Sequence, residues 1–344
     1  MPALKEWIRL GRFQTASLTA AGALLGCAIG SVVAGTHVWF DYVLVFIWGN
    51  GYHFFGFYQN NLCDLKYDRL DPSKQNFPLV SGAIPVRRAW AFWVVGFVVF
   101  YIMGAWLVLR HSATFWWGFF FLNSAVIWGI LYNMYSKRTL WSRLAISPAF
   151  FGVPGVGYFA VGAEPYSLGV WYLAWYAFFL VWHNNTYMGG LKDLPSDPIN
   201  LLRKWGSTAA PAKDARFADP NDPPYMWTFS RRVHIFAWGT RIICPILAWL
   251  WVLLHPMSPL PLLIFIAISA ALLIEFYWVD RNGVRTRLRQ NTYMAGSEIL
   301  NYWVLVASLW PILGPWSLLF YLYPPVWLVV FNRLIWGTSF APRV

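Results

Sequence analysis

The feature that most constrains this chain is a succession of long apolar runs. They lie at roughly 14–34, 37–62, 88–109, 113–133, 143–163, 166–190, 233–254, 258–279 and 298–313. A helix crosses a bilayer with about 20 mostly apolar residues, and its backbone polar groups are satisfied within the segment. A further run at about 316–336 is interrupted by Pro324-Pro325 and preceded by Pro311 and Pro315. The expected fold is therefore all-α: a polytopic membrane helix bundle of about nine transmembrane helices, ten if both final runs cross. It is read as a single integral-membrane domain over residues 1–344, with a cytoplasmic cap from the loops after helices 2 and 6. Composition agrees. Only 12% of residues are charged, about half the share in soluble domains. At 58% hydrophobic, the chain has too much apolar surface to stay disordered.

The formal net charge of +12 takes its meaning from this map. All but four of the 26 Lys and Arg fall before the first run or in the loops after the second, fourth, sixth and eighth. The exceptions are Arg110, Arg241, Arg333 and Arg343. Alternate loops are thus basic, which by the positive-inside rule places the N-terminus and those loops in the cytoplasm. The charge is topological, and no nucleic acid partner is needed to account for it. The start, MPALKEWIRLGRFQ, is basic and amphipathic. It reads as a short helix on the membrane surface and not as a cleavable signal. Cys27, Cys63 and Cys244 have no metal-type spacing and read as isolated thiols.

The acids are scarcer and more informative. Eleven of the 14 carboxylates fall on the same cytoplasmic side, most of them in the two large loops. One cluster ends the second run: Asn60, Asp64 and Asp68, spaced i, i+4, i+8, which share one helical face. A second follows the sixth run, where Asp193 and Asp197 repeat the i+4 spacing. Like charges one turn apart repel unless something neutralises them. Paired hard oxygen ligands suit Mg²⁺, which commonly uses one or two carboxylates plus substrate phosphate. Two such clusters could hold two ions and a diphosphate. Lys66, Arg69, Lys74, Lys137, Arg138 and Lys192 are candidates for the remaining phosphate charge. An ordinary solvated face would account for either cluster alone, but poorly for two at matching ends of runs.

These residues resemble a family. Asn60 to Gly82, with NxxxDxxxD followed by Lys74, Pro78-Leu79 and Ser81-Gly82, is similar to the first signature of the UbiA superfamily of intramembrane prenyltransferases. Lys192, Asp193 and Asp197 resemble its second, KDxxxD. Leu131-Tyr132 through Lys137-Arg138, then Gly152-Val153-Pro154, resemble its fourth-to-fifth helix connection, and Arg12 fits a common arginine near the first helix. Two positions depart from the pattern: Asn61, where the family often has Asp, and Phe77, where it often has Arg before Pro-Leu.

The resemblance implies a nine-helix bundle open laterally to lipid. Mg²⁺, as two ions on Asn60, Asp64, Asp68, Asp193 and Asp197, would bind a prenyl diphosphate. Departure of pyrophosphate leaves an allylic carbocation, which a lipophilic acceptor attacks. Aromatic faces can stabilise and shield such a cation, and Tyr52, Phe54, Phe55, Phe57 and Tyr58 lie near the first motif. Tyr132, Asn133, Tyr187, Arg12 and His53 join the basic residues as candidate substrate contacts. His53 reads more readily as a hydrogen-bonded polar group inside the bundle. Arg241 and Glu275 read as a structural pair within spans seven and eight. The cluster from Arg281 to Arg289 reads as topological, with lipid headgroups or diphosphate as its other possible partners. Two further readings keep the site: a terpene cyclase of the same type, and phosphoribosyl transfer to a polyprenyl phosphate. A transporter would carry its acids near the bilayer midplane, and these acids sit at the ends of spans.

Overall fold

The computed structural model describes residues 4–70, 74–136, 142–195, 200–214 and 223–337, without the side chains of Ser142, Arg143 and Lys192. The chain divides into two compact units, Met1–Phe178 with Leu322–Pro342, and Phe179–Tyr321.

The first unit contains α1 (Leu4–Leu10), α2 (Ala16–Ala34), α3 (Trp39–Asp68), α4 (Val86–Leu109), α5 (Phe115–Tyr135), α6 (Ser142–Phe159) and most of α7 (Leu168–His183). Small residues set its packing. In α2, a side chain at Gly26 would meet the Pro154 carbonyl oxygen at 1.9 Å. In α6, one at Gly157 would meet the Ala23 carbonyl oxygen at 1.8 Å. Only glycine permits this backbone approach, the usual device where lipid supplies no hydrophobic drive between helices. Aromatic stacks fill the wider gaps, with Trp48 packed on Tyr52 and Phe100. Helix α1 lies against α3 through Leu10, in a core with Tyr58, Leu62, Leu65, Phe77 and Leu79. Phe77 is thus packing, which accounts locally for an apolar residue before Pro78-Leu79.

The second unit holds the rest of α7, a five-residue π-helical turn (Asn184–Met188), α8 (Gly189–Asp193) and α9 (Leu201–Lys204). Strands β1 (Thr208–Pro211) and β2 (Pro224–Thr228) follow, then α10 (Arg231–Arg241), α11 (Ile243–Leu254) and α12 (Pro259–Val279). The unit continues with β3 (Gly283–Thr286), α13 (Arg287–Ser308), α14 (Trp310–Leu313) and the start of α15 (Ser317–Trp336). The strands form an antiparallel sheet in the order β1-β2-β3, with Thr208 opposite Thr228 and Tyr225 opposite Arg285. This corrects the all-α expectation. The two polar connections that read as loops pair with each other and bury Trp227 against Leu191, Leu194, Leu202 and Val279. No single loop shows that signal, because β3 is four residues long and three helices separate it from the strand it pairs with.

Among the described residues, six helical segments are long and apolar enough to cross a membrane: Phe13–Ala34, Val86–Leu109, Ser112–Tyr135, Arg231–Leu254, Pro259–Val279 and Trp310–Trp336. Their outward faces are what lipid requires. Val94, Val95, Val98, Val99 and Ile102 are exposed on α4, and Leu263 and Ile274 on α12.

Candidate functional site

In the first unit the site is built on the last turns of α3. Asp64 and Asp68 are buried there, at 7% and 4% exposure. Asn60, half-buried, continues their face one turn earlier. Burying two carboxylates one turn apart is costly unless cations meet them. Lys74 supplies one, with Nζ 2.7 Å from Asp68 Oδ1. Lys66 and Arg69 are exposed on the same turn. The α5 end is tied to this helix by Asn133, which donates to the Gly56 carbonyl and to Gln59 Oε1, both at 2.9 Å. Tyr132, its neighbour, is half-buried.

Arg12 has the chain's only non-glycine backbone at positive φ among the described residues. Such a conformation is strained and clusters at functional sites. It directs the guanidinium over the Phe57 ring, 5.0 Å from its centroid, and onto Asn61 Oδ1 at 3.2 Å. Asn61 in turn donates to the Leu10 carbonyl at 2.6 Å. It therefore faces α1, away from the Asn60–Asp64–Asp68 face, and clamps the turn that carries Arg12. Its place in the motif suggests a lost metal ligand; its use as a clamp shows only in the packing. Asn61→Leu is expected to lower stability by about 1–3 kcal/mol, the usual cost of stranding buried polar groups, measured by thermal unfolding in detergent. His53 is also held on both sides: Thr15 Oγ1 lies 3.0 Å from Nε2 and Thr19 Oγ1 2.9 Å from Nδ1. Its ring packs on Phe57.

In the second unit the π-helical turn leads directly into α8 and Asp193. A π-turn adds a residue to one helical turn and recurs at functional sites. Tyr187 within it is fully buried, and its hydroxyl donates to Asp280 Oδ1. Asp280 is ion-paired to Arg241 at 3.0 Å. The Arg241 guanidinium lies between the rings of Phe276 (4.0 Å) and Tyr187 (5.1 Å). Arg241 therefore pairs with Asp280 and not, as the span map suggested, with Glu275. Two residues that sequence reading missed brace the motif from the far side. Asn200 caps α9 through Leu202 N and donates to the Gly190 carbonyl at 2.7 Å. Arg203 donates to the Leu194 carbonyl. An Asn before Leu-Leu-Arg-Lys is a helix N-cap signal that could have found the first of these. Within β3, Arg285 donates to the Trp278 carbonyl at 3.1 Å, and burial pulls its guanidinium below its ordinary range.

Of the other predicted site residues, Lys137, Arg138 and Asp197 lie outside the described residues, as does the side chain of Lys192. Among the described residues no three His, Cys, Asp or Glu side chains form a metal cluster. Asp64 and Asp68 with Asn60 remain a two-carboxylate, one-amide donor set, which suits Mg²⁺ completed by substrate phosphate and water.

A family model described as the UbiA prenyltransferase family matches residues 16–296. A search of curated proteins gives no match. Among solved structures, a UbiA homolog from Archaeoglobus fulgidus is similar with a TM-score of 0.60 at 18% identity, over 89% of this chain and 99% of that one. That protein was solved bound to DMAPP and Mg²⁺ and also to GPP and Mg²⁺. A UbiA homolog from Aeropyrum pernix K1, in its apo form, gives 0.56 at 17% identity over 85% of this chain and 96% of that one. A structure of digeranylgeranylglyceryl phosphate synthase gives 0.57 at 18% identity over 91% and 98%. At such identities the likeness is one of fold.

Proposed function

The chain belongs to the UbiA prenyltransferase family, and on that premise we propose that it transfers a prenyl group from an allylic prenyl diphosphate to a lipophilic acceptor, aromatic or otherwise. The observation that carries this reading is the buried pair Asp64 and Asp68 on one face of α3. Asp68 already meets one cation, Lys74, and two buried carboxylates one turn apart suit a divalent ion beside it. Asn60, Asp64 and Asp68 would hold Mg²⁺, and Asp193 and Asp197 of the second motif would serve the same diphosphate. Two ions are expected. When bound, Mg²⁺ neutralises charge developing on the leaving pyrophosphate.

The protein's own residues do the rest. Lys74 brings an ammonium to the Asp68 turn, and Arg12, held by Asn61, presents a guanidinium suited to bidentate phosphate recognition. Lys66, Arg69, Lys137 and Lys192 add positive charge for the diphosphate, and Tyr132 and Asn133 contact substrate. Phe57 and its aromatic neighbours on α3 exclude water and face the carbocation with their rings. The chain is read as multi-pass with about nine crossings, ten if both final runs cross, and one membrane domain, its N-terminus and motif loops cytoplasmic, as the charge asymmetry suggests.

The test is direct. Purified protein is incubated with allylic diphosphates of several lengths, Mg²⁺ and a panel of alkyl phenols and long-chain alcohols, and organic products are identified by mass. Acceptor adducts that require Mg²⁺ are expected. Cyclic hydrocarbons formed without acceptor would replace transfer by cyclisation, and full-rate pyrophosphate release without Mg²⁺ would defeat the proposal.

A further inference from the structure

The inward face of α12 carries Phe265, Ser269, Leu272, Glu275, Phe276 and Val279 at helical spacing. A carboxylate inside a membrane-length apolar helix is expensive, and such groups are normally paired or functional. Glu275 has no such pairing. Both carboxylate oxygens are closed off from solvent, and among the described residues the hydroxyl of Ser297 is the one hydrogen-bonding group that meets them. The nearest cation, Arg241, is already committed to Asp280 and two rings. Ser297, on α13, is fully buried and faces that carboxylate. Two turns before Ser297 on the same helix, Gln290 is fully buried with neither end of its amide bonded. Glu275, Ser297 and Gln290 are thus buried polar groups whose hydrogen-bonding capacity the described residues leave largely unused. Buried polar groups with unmet capacity are unfavourable, and a polar ligand would satisfy them together.

We infer that this row is the docking site for the polar head of a hydroxylated lipophilic acceptor, with Glu275 as its proton acceptor. The inference rests on the transfer reading above and supplies the step that reading leaves open. When the allylic C–O bond breaks, its electron pair leaves with pyrophosphate. The acceptor's nucleophilic atom donates a pair to the allylic carbon, and the proton it sheds passes to the Glu275 carboxylate and then to water. Ser297 and Gln290 orient the acceptor hydroxyl. Asp280 is unsuited to this role, because it is held by Arg241 and Tyr187.

The experiment uses the full chain with geranyl diphosphate, Mg²⁺ and an alkyl phenol, and reads two products: prenylated phenol and geraniol from water capture. Glu275→Gln is expected to lower the ratio of adduct to geraniol about 100-fold, the scale of a lost general base, and Glu275→Asp to restore part of it. Ser297→Ala is expected to raise the KM for the phenol several-fold at little cost in kcat. A ratio in Glu275→Gln within threefold of wild type overturns the inference, as does a parallel fall of both products. If Glu275→Gln does not fold, an unchanged phenol KM in Ser297→Ala overturns the docking site. Asp64→Ala separates the two proposals: if it leaves geraniol and pyrophosphate formation intact, the transfer reading itself fails.

Discussion

Asp64→Ala is expected to reduce prenyl transfer about 1,000-fold, and Asp193→Ala comparably. A metal ion at a leaving group contributes several kcal/mol of transition-state stabilisation, and each 1.36 kcal/mol is tenfold in rate. Losing one carboxylate of a two-carboxylate set forfeits most of that. The fold is expected to survive, because the substitution removes one of two like charges a single turn apart. An unchanged unfolding temperature with lost turnover is therefore the predicted signature, read by thermal unfolding and product assay on the same sample. Residues that act on one leaving group are strongly non-additive. The Asp64→Ala/Asp193→Ala double variant is thus expected to be little worse than the worse single. Full activity in either single variant, at a Mg²⁺ level that saturates wild type, would remove that motif from the reaction.

The helices were legible because lipid demands a long apolar run of each span, and the six membrane-length apolar helices among the described residues fall on six of those runs. The acidic motifs were legible for the complementary reason: charge is so scarce in this chain that two matched clusters stand out. What escaped was whatever depends on a partner distant in sequence. Strand β3 pairs with β2 only after α10, α11 and α12 have intervened. Helix α13 begins at Arg287, well before the apolar run at 298. Its inward residues there, Gln290 and Ser297, are polar, so hydropathy does not register them. Asn61 looked like a degraded metal ligand because position in a motif suggests one role. Its side chain lies on another face of the helix and serves α1. For Arg241 the span map suggested Glu275, and only the geometry shows Asp280 as the ion-pair partner.

Arg241→Leu is expected to destabilise the protein by about 3–5 kcal/mol, the cost of removing one partner of a buried ion pair. The ground for so large a figure is burial: Arg241 is 1% exposed and Asp280 4%. Asp280 would keep the Tyr187 hydroxyl but be deprived of its only counter-charge among the described residues within ion-pair distance. The penalty arises from desolvation of the carboxylate left behind more than from the attraction removed. The double variant Arg241→Leu/Asp280→Leu should therefore recover much of the stability, as apolar replacement of buried pairs does elsewhere. A double-mutant cycle on unfolding temperature in detergent measures the coupling. Near-additive effects would mean that the two side chains are not a pair in the folded protein. A functional readout accompanies it. Tyr187 is pinned to Asp280 six residues before Asp193, so freeing Asp280 should loosen the π-helical turn that leads into the second motif. The Mg²⁺ concentration for half-maximal turnover should then rise in Arg241→Leu, and Arg241→Lys, which keeps the charge but not the stacked guanidinium, should fall between that variant and wild type.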